Sequence, residues 1–369
     1  MQPKNKIIIS GGGTGGHIFP ALSIANAIRE KQPEAEILFV GALGRMEMEK
    51  VPAAGYKIIG LPIAGIQRRL TFKNVTLLFK LIRSLIKAGR IVRDFRPDVA
   101  VGVGGYASGP VLKAASKKGI PTVLQEQNSY AGVTNRLLAK NASKICVAYE
   151  GMEKYFPEDK ILLTGNPVRE AILAKDIDIN EAAEAFNVPP RTPVALVVGG
   201  SLGAGSINRA IKEKLDVLSK QDFSLIWQTG KHFYQEAKET VEQGEYKNII
   251  VREFIARMDY AYALATVVIS RAGAGTISEL CLVEKPVILV PSPNVAEDHQ
   301  TKNAMALVQK NAALMVKDVE AGKKLGDALI NLMVDEPKQE ELKQNIKKMA
   351  YHNSAEKIAA EVLKIANKE

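Results

Sequence analysis

Cysteine is scarce in this sequence of 369 residues, and the two that are present, Cys146 and Cys281, lie far apart. Their spacing matches neither a zinc site nor a redox motif, which excludes a disulfide scaffold and is typical of a reducing cytosol. The chain also lacks any apolar run close to the roughly 18 residues that a membrane-spanning helix needs. The first apolar run ends at Gly11, so we expect no signal peptide. With 46% hydrophobic and 24% charged residues, the composition is globular, and the length suits two domains.

The basic residues are concentrated in one part of the chain. Residues 1–170 contain 25 lysines and arginines against 13 acidic residues, whereas residues 171–369 contain 25 against 27. Residues 66–96 alone carry nine basic residues and one acid, which accounts for +8 of the net charge of +10. Such a patch predicts an anionic partner at one surface of the protein.

Short β-branched runs alternate with longer helical stretches in two series. This alternation predicts right-handed βαβ units, and therefore two doubly wound α/β domains with mainly parallel sheets. The predicted strands of the first series are Lys6–Ser10, Ile37–Val40, Val99–Val103, Thr122–Leu124 and Lys144–Val147, and its helices lie near His17–Glu30, Phe72–Asp94, Pro110–Lys118 and Tyr130–Lys140. The strands of the second series are Val194–Val198, Ser224–Gln228, Ile249–Val251, Val267–Ser270 and Val287–Val290.

We place the domain boundary at residues 165–167, which predicts domains over residues 1–165 and 166–340. Only helices are expected after the strand that ends at Val290. The last of them, at about residues 341–369, can pack back on the first domain.

Glycine-rich loops follow three of the predicted strands, at residues 11–16 (GGGTGG), 102–109 (GVGGYASG) and 199–206 (GGSLGAGS). A glycine-rich turn between a strand and a helix lets backbone N–H groups approach a phosphate at the helix N-terminus. Three such loops in two doubly wound halves favour phosphate binding over tight turns alone. Ligands of these sheets bind beyond the carboxyl ends of the strands, so we expect the loops to line an interdomain cleft.

Two common phosphate-binding signatures are incomplete. Residues 11–16 have the spacing of the dinucleotide fingerprint, but the next strand ends without the acidic residue that would bind the ribose. Residues 200–206 lack the lysine of a Walker A loop. Asp176 and Asp178 have the spacing of a metal-binding Asp-x-Asp motif, but they precede a predicted helix and are interpreted as capping residues. We expect neither a metal site nor a cofactor.

Residues 270–280 (SRAGAGTISEL) predict the end of a strand, a turn of small residues and a helix that begins near Ala274. The N–H groups and positive dipole at this helix start suit a diphosphate. Glu279 lies where a carboxylate could accept hydrogen bonds from ribose hydroxyls, although a glutamate that offsets the helix dipole is the alternative. Residues 291–304 add a polar loop and a further helix start that could contact sugar hydroxyls.

Six motifs occur in order along the chain. They are GGGTGGHIFPA (11–21), GGYASGP (104–110), EQN (126–128), GNPVR (165–169), GGSLGAGSIN (199–208) and RAGAGTISEL (271–280). With them the chain resembles glycosyltransferase family 28, and within it the bacterial N-acetylglucosaminyltransferases that convert lipid I to lipid II in peptidoglycan synthesis. The resemblance runs from about residue 6 to residue 310. Gln125 is a departure, because the family usually has histidine before EQN.

The resemblance implies a GT-B glycosyltransferase, in which two Rossmann-like domains face each other across a cleft. UDP-GlcNAc would be held mainly by the C-terminal domain, and undecaprenyl-diphosphate-MurNAc-pentapeptide by the first. The implied donor contacts are Thr14, Gly15, Gly16, Asn128, Arg169, Ser201, Ile255, Ala274, Gly275, Thr276, Glu279, His299 and Gln300. The implied acceptor contacts are Gly13, Tyr106, Ser108 and Asn135.

The implied reaction inverts the anomeric centre in one displacement. It requires a base for the acceptor 4-hydroxyl and positive potential for the departing UDP. We assign the second task to the helix that begins near Ala274. His17, which directly follows the first glycine loop, is our candidate base, and Glu126 is its competitor. A histidine at a helix start can also be a structural or phosphate-binding residue.

Residues 70–94 read as one helix with two faces. Leu77, Leu78, Leu81, Leu85 and Val92 share an arc that is expected to pack on the sheet. The rest of the surface interleaves basic and large apolar residues, and the predicted membrane contacts are Phe72, Val75, Phe79, Lys80, Arg83, Ile86 and Lys87. Interfacial helices combine these residue types at anionic lipid, whereas no groove-reading motif supports nucleic acid as a partner. We therefore expect peripheral binding to the cytoplasmic face of the bacterial plasma membrane.

Other functions share parts of this pattern. A UDP-GlcNAc 2-epimerase would have the same fold and donor but no need for a lipid-facing basic helix or a second diphosphate site. A dinucleotide-dependent oxidoreductase would need the missing ribose acid. A nucleotide-sugar sensor without enzymatic activity would need the binding motifs alone.

Overall fold

The computed structural model describes residues 4–63, 73–168, 172, 177–200 and 202–368, and it describes the backbone alone for residues 73–78 and 296. The chain forms two compact units. The first unit comprises Met1–Val168 together with Tyr351–Glu369, and the second comprises Arg169–Ala350.

The first unit contains a seven-stranded sheet whose paired strands are all parallel. Its strands are β1 (Lys6–Ser10), β2 (Glu36–Ala42), β3 (Lys57–Leu61), β4 (Val99–Gly102), β5 (Thr122–Glu126), β6 (Lys144–Val147) and β7 (Ile161–Leu163). Their order across the sheet is β3-β2-β1-β4-β5-β6-β7. Ile7, Ile8 and Ile9 of β1 are all fully buried because helices cover both faces, which is why this strand is a continuous β-branched run.

Within the described residues of the first unit, five α-helices lie between these strands. They are α1 (Gly15–Lys31), α2 (Glu47–Ala53), α3 (Lys73–Phe95), α4 (Ser108–Lys117) and α5 (Val133–Ala139). Helix α3 packs against α4 and β3.

The second unit repeats this arrangement with six strands, again paired in parallel. They are β8 (Val194–Val198), β9 (Ser224–Gln228), β10 (Ile249–Arg252), β11 (Val267–Ser270), β12 (Val287–Leu289) and β13 (Leu314–Met315), in the order β10-β9-β8-β11-β12-β13. Its helices are α6 (Ile179–Phe186), α7 (Gly205–Lys212), α8 (Leu215–Leu218), α9 (Lys231–Gln243), α10 (Met258–Leu264), α11 (Ala274–Leu282), α12 (His299–Val308), α13 (Ala321–Val334) and α14 (Glu336–Lys347).

The last helix, α15 (Ser354–Ala366), belongs to the first unit. It packs against α1 and buries Ile358, Ala359 and Val362 completely. Of the helices in the described ranges, none combines the length and the hydropathy needed to span a membrane.

The prediction of two doubly wound, mainly parallel α/β domains is confirmed. Strands β3, β7 and β13 were not predicted from the sequence. The expectation that only helices follow Val290 is wrong, because Leu314 and Met315 pair with Ile288 and Leu289 of β12. All three missed strands lie at a sheet edge. Their pairing depends on a distant neighbour rather than on a long apolar run of their own.

Two helices also differ from the sequence expectation. Leu81 of α3 was expected to face the sheet, but its side chain is 38% exposed. The buried stripe of the helix consists of Ser84, Ala88, Ile91 and Val92, of which Val92 was expected to face the sheet, and Leu85 is half-buried. The side chains of Leu77 and Leu78 lie outside the described residues. Helix α5 begins at Val133 rather than near residue 130.

Asp178 caps α6 by accepting a hydrogen bond from the Asn180 N–H at 2.8 Å. This contact supports the interpretation of Asp178 as a capping residue, while Asp176 lies outside the described residues.

Candidate functional site

Each sheet has one point at which the strand order reverses, between β1 and β4 in the first unit and between β8 and β11 in the second. The connections from two such strands leave in opposite directions, so a crevice opens at their carboxyl ends, where ligands of open α/β sheets bind. The two glycine-rich loops of the first unit follow β1 and β4, while the third loop and the RAGAG turn follow β8 and β11. The three glycine-rich loops and the RAGAG turn therefore lie at the two switch points.

The two glycine loops of the first unit pack directly on each other. A Cβ atom at Gly105 would lie 2.3 Å from the carbonyl oxygen of Gly12, so only a residue without a side chain fits there. Gly13 has a φ of +91° and donates its N–H to the carboxylate of Glu47. The N–H groups of Thr14, Gly15 and Gly16 have no acceptor within the described residues, as is usual for the first turn of a helix.

His17 lies in the first turn of α1 with its ring against the second glycine loop. Its Nδ1 atom is 3.1 Å from Thr14 Oγ1. A Cβ atom at Gly104 would lie 2.9 Å from both Cδ2 and Nε2 of the His17 ring. The imidazole is thus held between a hydroxyl on one loop and the backbone of the other, and it is half-buried.

Glu126 ends β5 and is almost completely buried. Its carboxylate accepts hydrogen bonds from the N–H of Asn128 at 3.1 Å, the N–H of Gly132 at 3.0 Å and the Nδ2 of Asn135 at 2.8 Å. Burial raises the pKa of Glu126 above its ordinary value, and these hydrogen bonds oppose the rise. The side chain therefore holds the loop of residues 127–132 against α5, which explains why α5 begins late.

Gln125, the departure from the family pattern, is part of a buried amide network. Its Nε2 donates to Asn166 Oδ1 at 2.9 Å, and its Oε1 accepts from Gln127 Nε2. Asn166 in turn donates to the Gln127 carbonyl at 2.9 Å. Since Gln125 is fully buried, its role in this structure is to join the EQN and GNPVR motifs.

The implied acceptor contacts differ in how they are presented. Tyr106 is exposed on the second glycine loop. Ser108 is fully buried and donates its hydroxyl to the Gly105 carbonyl at 2.9 Å, so it shapes the loop. Asn135 is also buried, where its Nδ2 bridges the Gln125 carbonyl and the Glu126 carboxylate.

The glycine loop of the second unit is held by backbone contacts and by one buried asparagine. A Cβ atom at Gly203 would lie 2.0 Å from the Thr229 carbonyl oxygen, and one at Gly230 would lie 2.4 Å from the Gly203 nitrogen. Asn208 of α7 donates to the Thr229 carbonyl at 2.8 Å and accepts from Trp227 Nε1 at 3.1 Å. The loop after β8 is thereby fastened to the end of β9.

Arg271, the residue that follows β11, joins three segments of the second unit. Its guanidinium pairs with the carboxylate of Asp318 and donates to Ser206 Oγ at 2.9 Å and to the Val290 carbonyl at 3.0 Å. Both charged side chains are more than four-fifths buried. Burial by itself would raise the pKa of Asp318, but the hydrogen bonds from Ser206 and Arg271 outweigh it and lower this pKa.

Helix α11 begins at Ala274, as the sequence predicts. The N–H groups of Ala274, Gly275 and Thr276 have no acceptor within the described residues, so this turn can donate to an anion. Glu279 lies in the second turn, where Tyr262 donates its hydroxyl to Glu279 Oε2 at 3.3 Å. The same helix thus presents N–H donors at its start and a positioned carboxylate one turn later.

The remaining donor contacts implied for the second unit lie between β10 and α10 and at the start of α12. Ile255 is buried. Gln300 uses its Oε1 to accept the Ser292 N–H at 2.8 Å and so closes the loop before α12.

The residues before α12 adopt an unusual backbone conformation. Glu297 and Asp298 both have left-handed φ values, +53° and +54°, which non-glycine residues rarely adopt. These two residues precede His299. Burial lowers the pKa of the His299 imidazole below its ordinary value, and the negative charge of Glu297 opposes this shift.

The outward surface of α3 carries the basic and apolar residues expected from the sequence. Phe79 is 64% exposed and Ile86 is 54% exposed. Lys80, Ile82 and Arg83 are exposed as well. Lys87 differs, because its Nζ donates to the Gly60 carbonyl at the end of β3 at 2.8 Å.

Four of the residues expected to contact a ligand or the membrane have side chains outside the described part of the chain. Arg169, Ser201 and Phe72 lie outside the described residues, as does the side chain of Val75. Within the described residues, no group of three or more His, Cys, Asp or Glu side chains is arranged to hold a metal ion.

Comparison with known proteins identifies the family. The model of the glycosyltransferase family 28 N-terminal domain matches residues 7–147, and that of the family 28 C-terminal domain matches residues 194–362. The chain belongs to glycosyltransferase family 28. As a family 28 member it is a glycosyltransferase, and its two Rossmann-like units are those of the GT-B fold.

Several known proteins match this chain over nearly their whole length. The UDP-N-acetylglucosamine–N-acetylmuramyl-(pentapeptide) pyrophosphoryl-undecaprenol N-acetylglucosamine transferase of Bacteroides thetaiotaomicron is 59% identical, over 100% of both chains. The crystal structure of Acinetobacter baumannii MurG is 26% identical with a TM-score of 0.78, over 98% of this chain and 100% of that one. A UDP-GlcNAc 2-epimerase from Neisseria meningitidis, solved with UDP-GlcNAc, has a TM-score of 0.67 at 15% identity, over 97% and 99%, which shows the fold alone.

Sequence reasoning missed several residues that shape this family 28 site. Arg271 lies inside a motif that was recognised, yet its partner Asp318 is 47 positions away and no local pattern marks it. Glu47 follows the second strand without a glycine motif of its own. Gln127 lies in the EQN motif and Asn166 in the GNPVR motif. The occurrence of both motifs in one chain was the sign in the sequence that could have pointed to their contact.

The Arg271–Asp318 pair leads to a prediction about stability and pH. We expect Asp318→Asn to lower the free energy of unfolding by about 1–3 kcal/mol at pH 7, because the buried guanidinium loses its charged partner. Since the pKa of Asp318 is lowered in the folded state, this stabilisation is present above the unfolded pKa of about 4 and is lost as the pH falls through the folded pKa. Urea unfolding of both proteins between pH 3 and pH 7 measures it.

The matched control is Asp327→Asn, which removes an exposed partner of Lys214 and should change stability by less than about 1 kcal/mol. A difference between Asp318→Asn and the unmodified protein that stayed constant down to pH 3 would contradict the assignment.

Proposed function

We propose that this protein transfers GlcNAc from UDP-GlcNAc to the 4-hydroxyl of MurNAc in undecaprenyl-diphosphate-MurNAc-pentapeptide, the conversion of lipid I to lipid II in peptidoglycan synthesis. The observation that carries the proposal is the 59% identity, over both full lengths, to a relative named for that transfer. The motifs at the two switch points support it, because each switch point offers N–H donors suited to a diphosphate. Growth of the cell wall, and with it cell shape and division, would depend on this step.

The second unit is the proposed donor site. The N–H groups at the start of α11 would receive the UDP diphosphate, and Glu279 would accept hydrogen bonds from the ribose. Ile255 would lie near the uracil, while His299 and Gln300 would contact the GlcNAc. The loop before α12 has two consecutive left-handed residues, a conformation that proteins retain mainly at functional positions.

The first unit is the proposed acceptor site. Because the Gly13 N–H is directed to Glu47, the N–H groups left for the ligands at the start of α1 are those of Thr14, Gly15 and Gly16. Tyr106 is exposed on the neighbouring loop and suits a contact with the acceptor. Asn128 is a further proposed donor contact.

In the proposed mechanism His17 removes the proton of the attacking 4-hydroxyl while UDP departs. This role requires the tautomer in which Nδ1 donates its proton to Thr14 Oγ1, which leaves the basic lone pair of the ring at Nε2. We assign Glu126 a positioning role instead, because both of its oxygens accept hydrogen bonds from the loop that it holds. The positive end of α11 would stabilise the charge that develops on the leaving diphosphate.

Two other functions have weaker support. A UDP-GlcNAc 2-epimerase shares the fold, and the similarity to one is of the fold alone. A dinucleotide-dependent oxidoreductase would need an acid at the ribose, but the carboxylate that follows β2, that of Glu47, is fully buried.

Incubation with labelled UDP-GlcNAc, with and without a lipid I analogue, tests the function. We expect UDP release and labelled lipid II only when the acceptor is present. Formation of UDP-ManNAc without the acceptor would support the epimerase instead, and binding of UDP-GlcNAc with neither product would support a sensor.

The role of His17 gives a kinetic prediction. We expect His17→Ala to lower kcat about 10²- to 10⁴-fold at saturating donor and acceptor, the usual contribution of a general base. The KM for UDP-GlcNAc should change little if the donor is held mainly by the second unit. His352→Ala, at an exposed position, is the control. Near-normal kcat in His17→Ala would exclude His17 as the base.

We propose that the outward surface of α3 binds the cytoplasmic face of the plasma membrane. Exposed Phe79, Ile82 and Ile86 would enter the headgroup region, and Lys80 with Arg83 would meet anionic lipids. Lys87 contributes less, because it is bound to the Gly60 carbonyl.

Flotation with vesicles that contain anionic lipid tests this surface. We expect the single variant Phe79→Ser and the double variant Lys80→Glu/Arg83→Glu each to weaken vesicle binding. The double variant should weaken it by at least about tenfold, because each basic residue contributes about 1 kcal/mol near such a surface. Added salt should weaken binding as well. The control is the double variant Lys238→Glu/Lys247→Glu. It changes the net charge by the same amount as Lys80→Glu/Arg83→Glu, but at exposed positions of the second unit, and it should leave binding unchanged. Undiminished binding by both α3 variants would disprove the proposal.

A further inference from the structure

The carboxylate of Glu47 lies directly beneath the first glycine loop. Glu47 is the first residue of α2, and its side chain is completely buried. Its two oxygens accept the Gly13 N–H at 3.0 and 3.2 Å, and one of them also accepts the Ala42 N–H at 2.9 Å. A single buried carboxylate therefore ties the loop after β1 to the end of β2.

Two glycines make room for this side chain. A Cβ atom at Gly12 would lie 2.1 Å from Glu47 Oε1, and one at Gly41 would lie 2.6 Å from Glu47 Cγ. No Lys, Arg or His pairs with Glu47 among the residues that the structure describes, so its charge is met by backbone N–H groups there. Burying a carboxylate on these terms is costly, and two strand-end positions are restricted to glycine to allow it. Such a local conflict with stability is expected where a residue serves function.

The contacts of Glu47 lead through two residues to His17. Gly13, which Glu47 holds, is followed by Thr14, whose carbonyl accepts the N–H groups of His17 and Ile18 at 3.1 and 3.2 Å. The Thr14 hydroxyl is also 3.1 Å from His17 Nδ1. The direction of the peptide between Gly12 and Gly13 therefore affects where Thr14 lies, and the Thr14 hydroxyl is one of the contacts that orient the imidazole.

We propose that Glu47 is a positioning residue for the transfer reaction. By holding the Gly13 N–H, it sets the first glycine loop so that Thr14 orients His17. This inference rests on the proposed function, since it assigns Glu47 a task in GlcNAc transfer through His17.

The first test is the kinetics of Glu47→Gln and Glu47→Ala in acceptor-dependent UDP release. The glutamine has nearly the same shape but turns an NH2 group toward one of the N–H donors, so it cannot make all the hydrogen bonds of the carboxylate. We expect kcat to fall about 10- to 100-fold in both, the scale of a small misplacement of a reacting group. The KM for UDP-GlcNAc should stay within about twofold, because the proposed donor contacts on α11 are in the other unit. Glu49→Gln, at an exposed position of the same helix, is the control.

A double-mutant cycle with His17 separates positioning from general support of the fold. If Glu47 acts through His17, Glu47→Ala should slow the His17→Ala protein by less than about twofold, because the base is already absent. A further slowing as large as that seen with His17 present would overturn the proposal, as would normal kcat in both single variants of Glu47.

Gly41→Ala provides a second route to the same question if the Glu47 variants fold poorly. Its new methyl group would displace the Glu47 side chain without removing the charge. We expect it to reproduce the loss of kcat by itself and to add little in the Glu47→Ala background, whereas normal kcat in Gly41→Ala would contradict the proposal. If the unmodified protein itself showed no acceptor-dependent transfer, the proposed function would fail, and that result is distinct from any result on Glu47.

Discussion

The reversal of strand order in each sheet is the constraint on which the rest of the molecule depends. Adjacent parallel strands β1 and β4, and likewise β8 and β11, send their connections in opposite directions, so no helix can cover the gap at their carboxyl ends. Loops that border the gap must turn sharply and approach one another closely. The glycines at positions 12, 105, 203 and 230 meet that demand, because a Cβ atom at any of them would lie too close to a neighbouring group.

Buried polar groups, rather than apolar packing, hold these loops in place. Glu47 and Glu126 lie under loops of the first unit, and Asn208 has the corresponding position in the second. Each satisfies backbone groups that a glycine-rich loop would otherwise leave unpaired. The N–H groups at the starts of α1 and α11 are then the ones that remain for anionic ligands. A nucleotide sugar and a lipid-linked diphosphate both carry anionic phosphate groups that these N–H groups could bind.

Helix α3 departs from the usual arrangement of an amphipathic helix. Its buried side includes the small residues Ser84 and Ala88, which let the helix lie close against α4, while Phe79 and Ile86 point to solvent. A soluble surface gains nothing from such residues, whereas a headgroup layer can accept them. The excess positive charge of the chain is therefore concentrated next to large exposed apolar side chains, on the unit that we propose binds the lipid-linked substrate.

The amino-acid sequence by itself determined the fold class, the glycine loops, the start of α11 at Ala274 and the family, because these depend on local periodicity and on short motifs. It did not reveal the edge strand Leu314–Met315, the exposure of Leu81 or the contact of Lys87 with Gly60, since each depends on a neighbour that is distant in the chain. The same holds for the site: His17 and Glu126 could be named from their motifs, but the partners that orient them could not. Only the tertiary structure brought Asp318 to Arg271 and Glu47 beneath Gly13, because a buried charge is placed by the packing that surrounds it and not by the residues next to it in sequence.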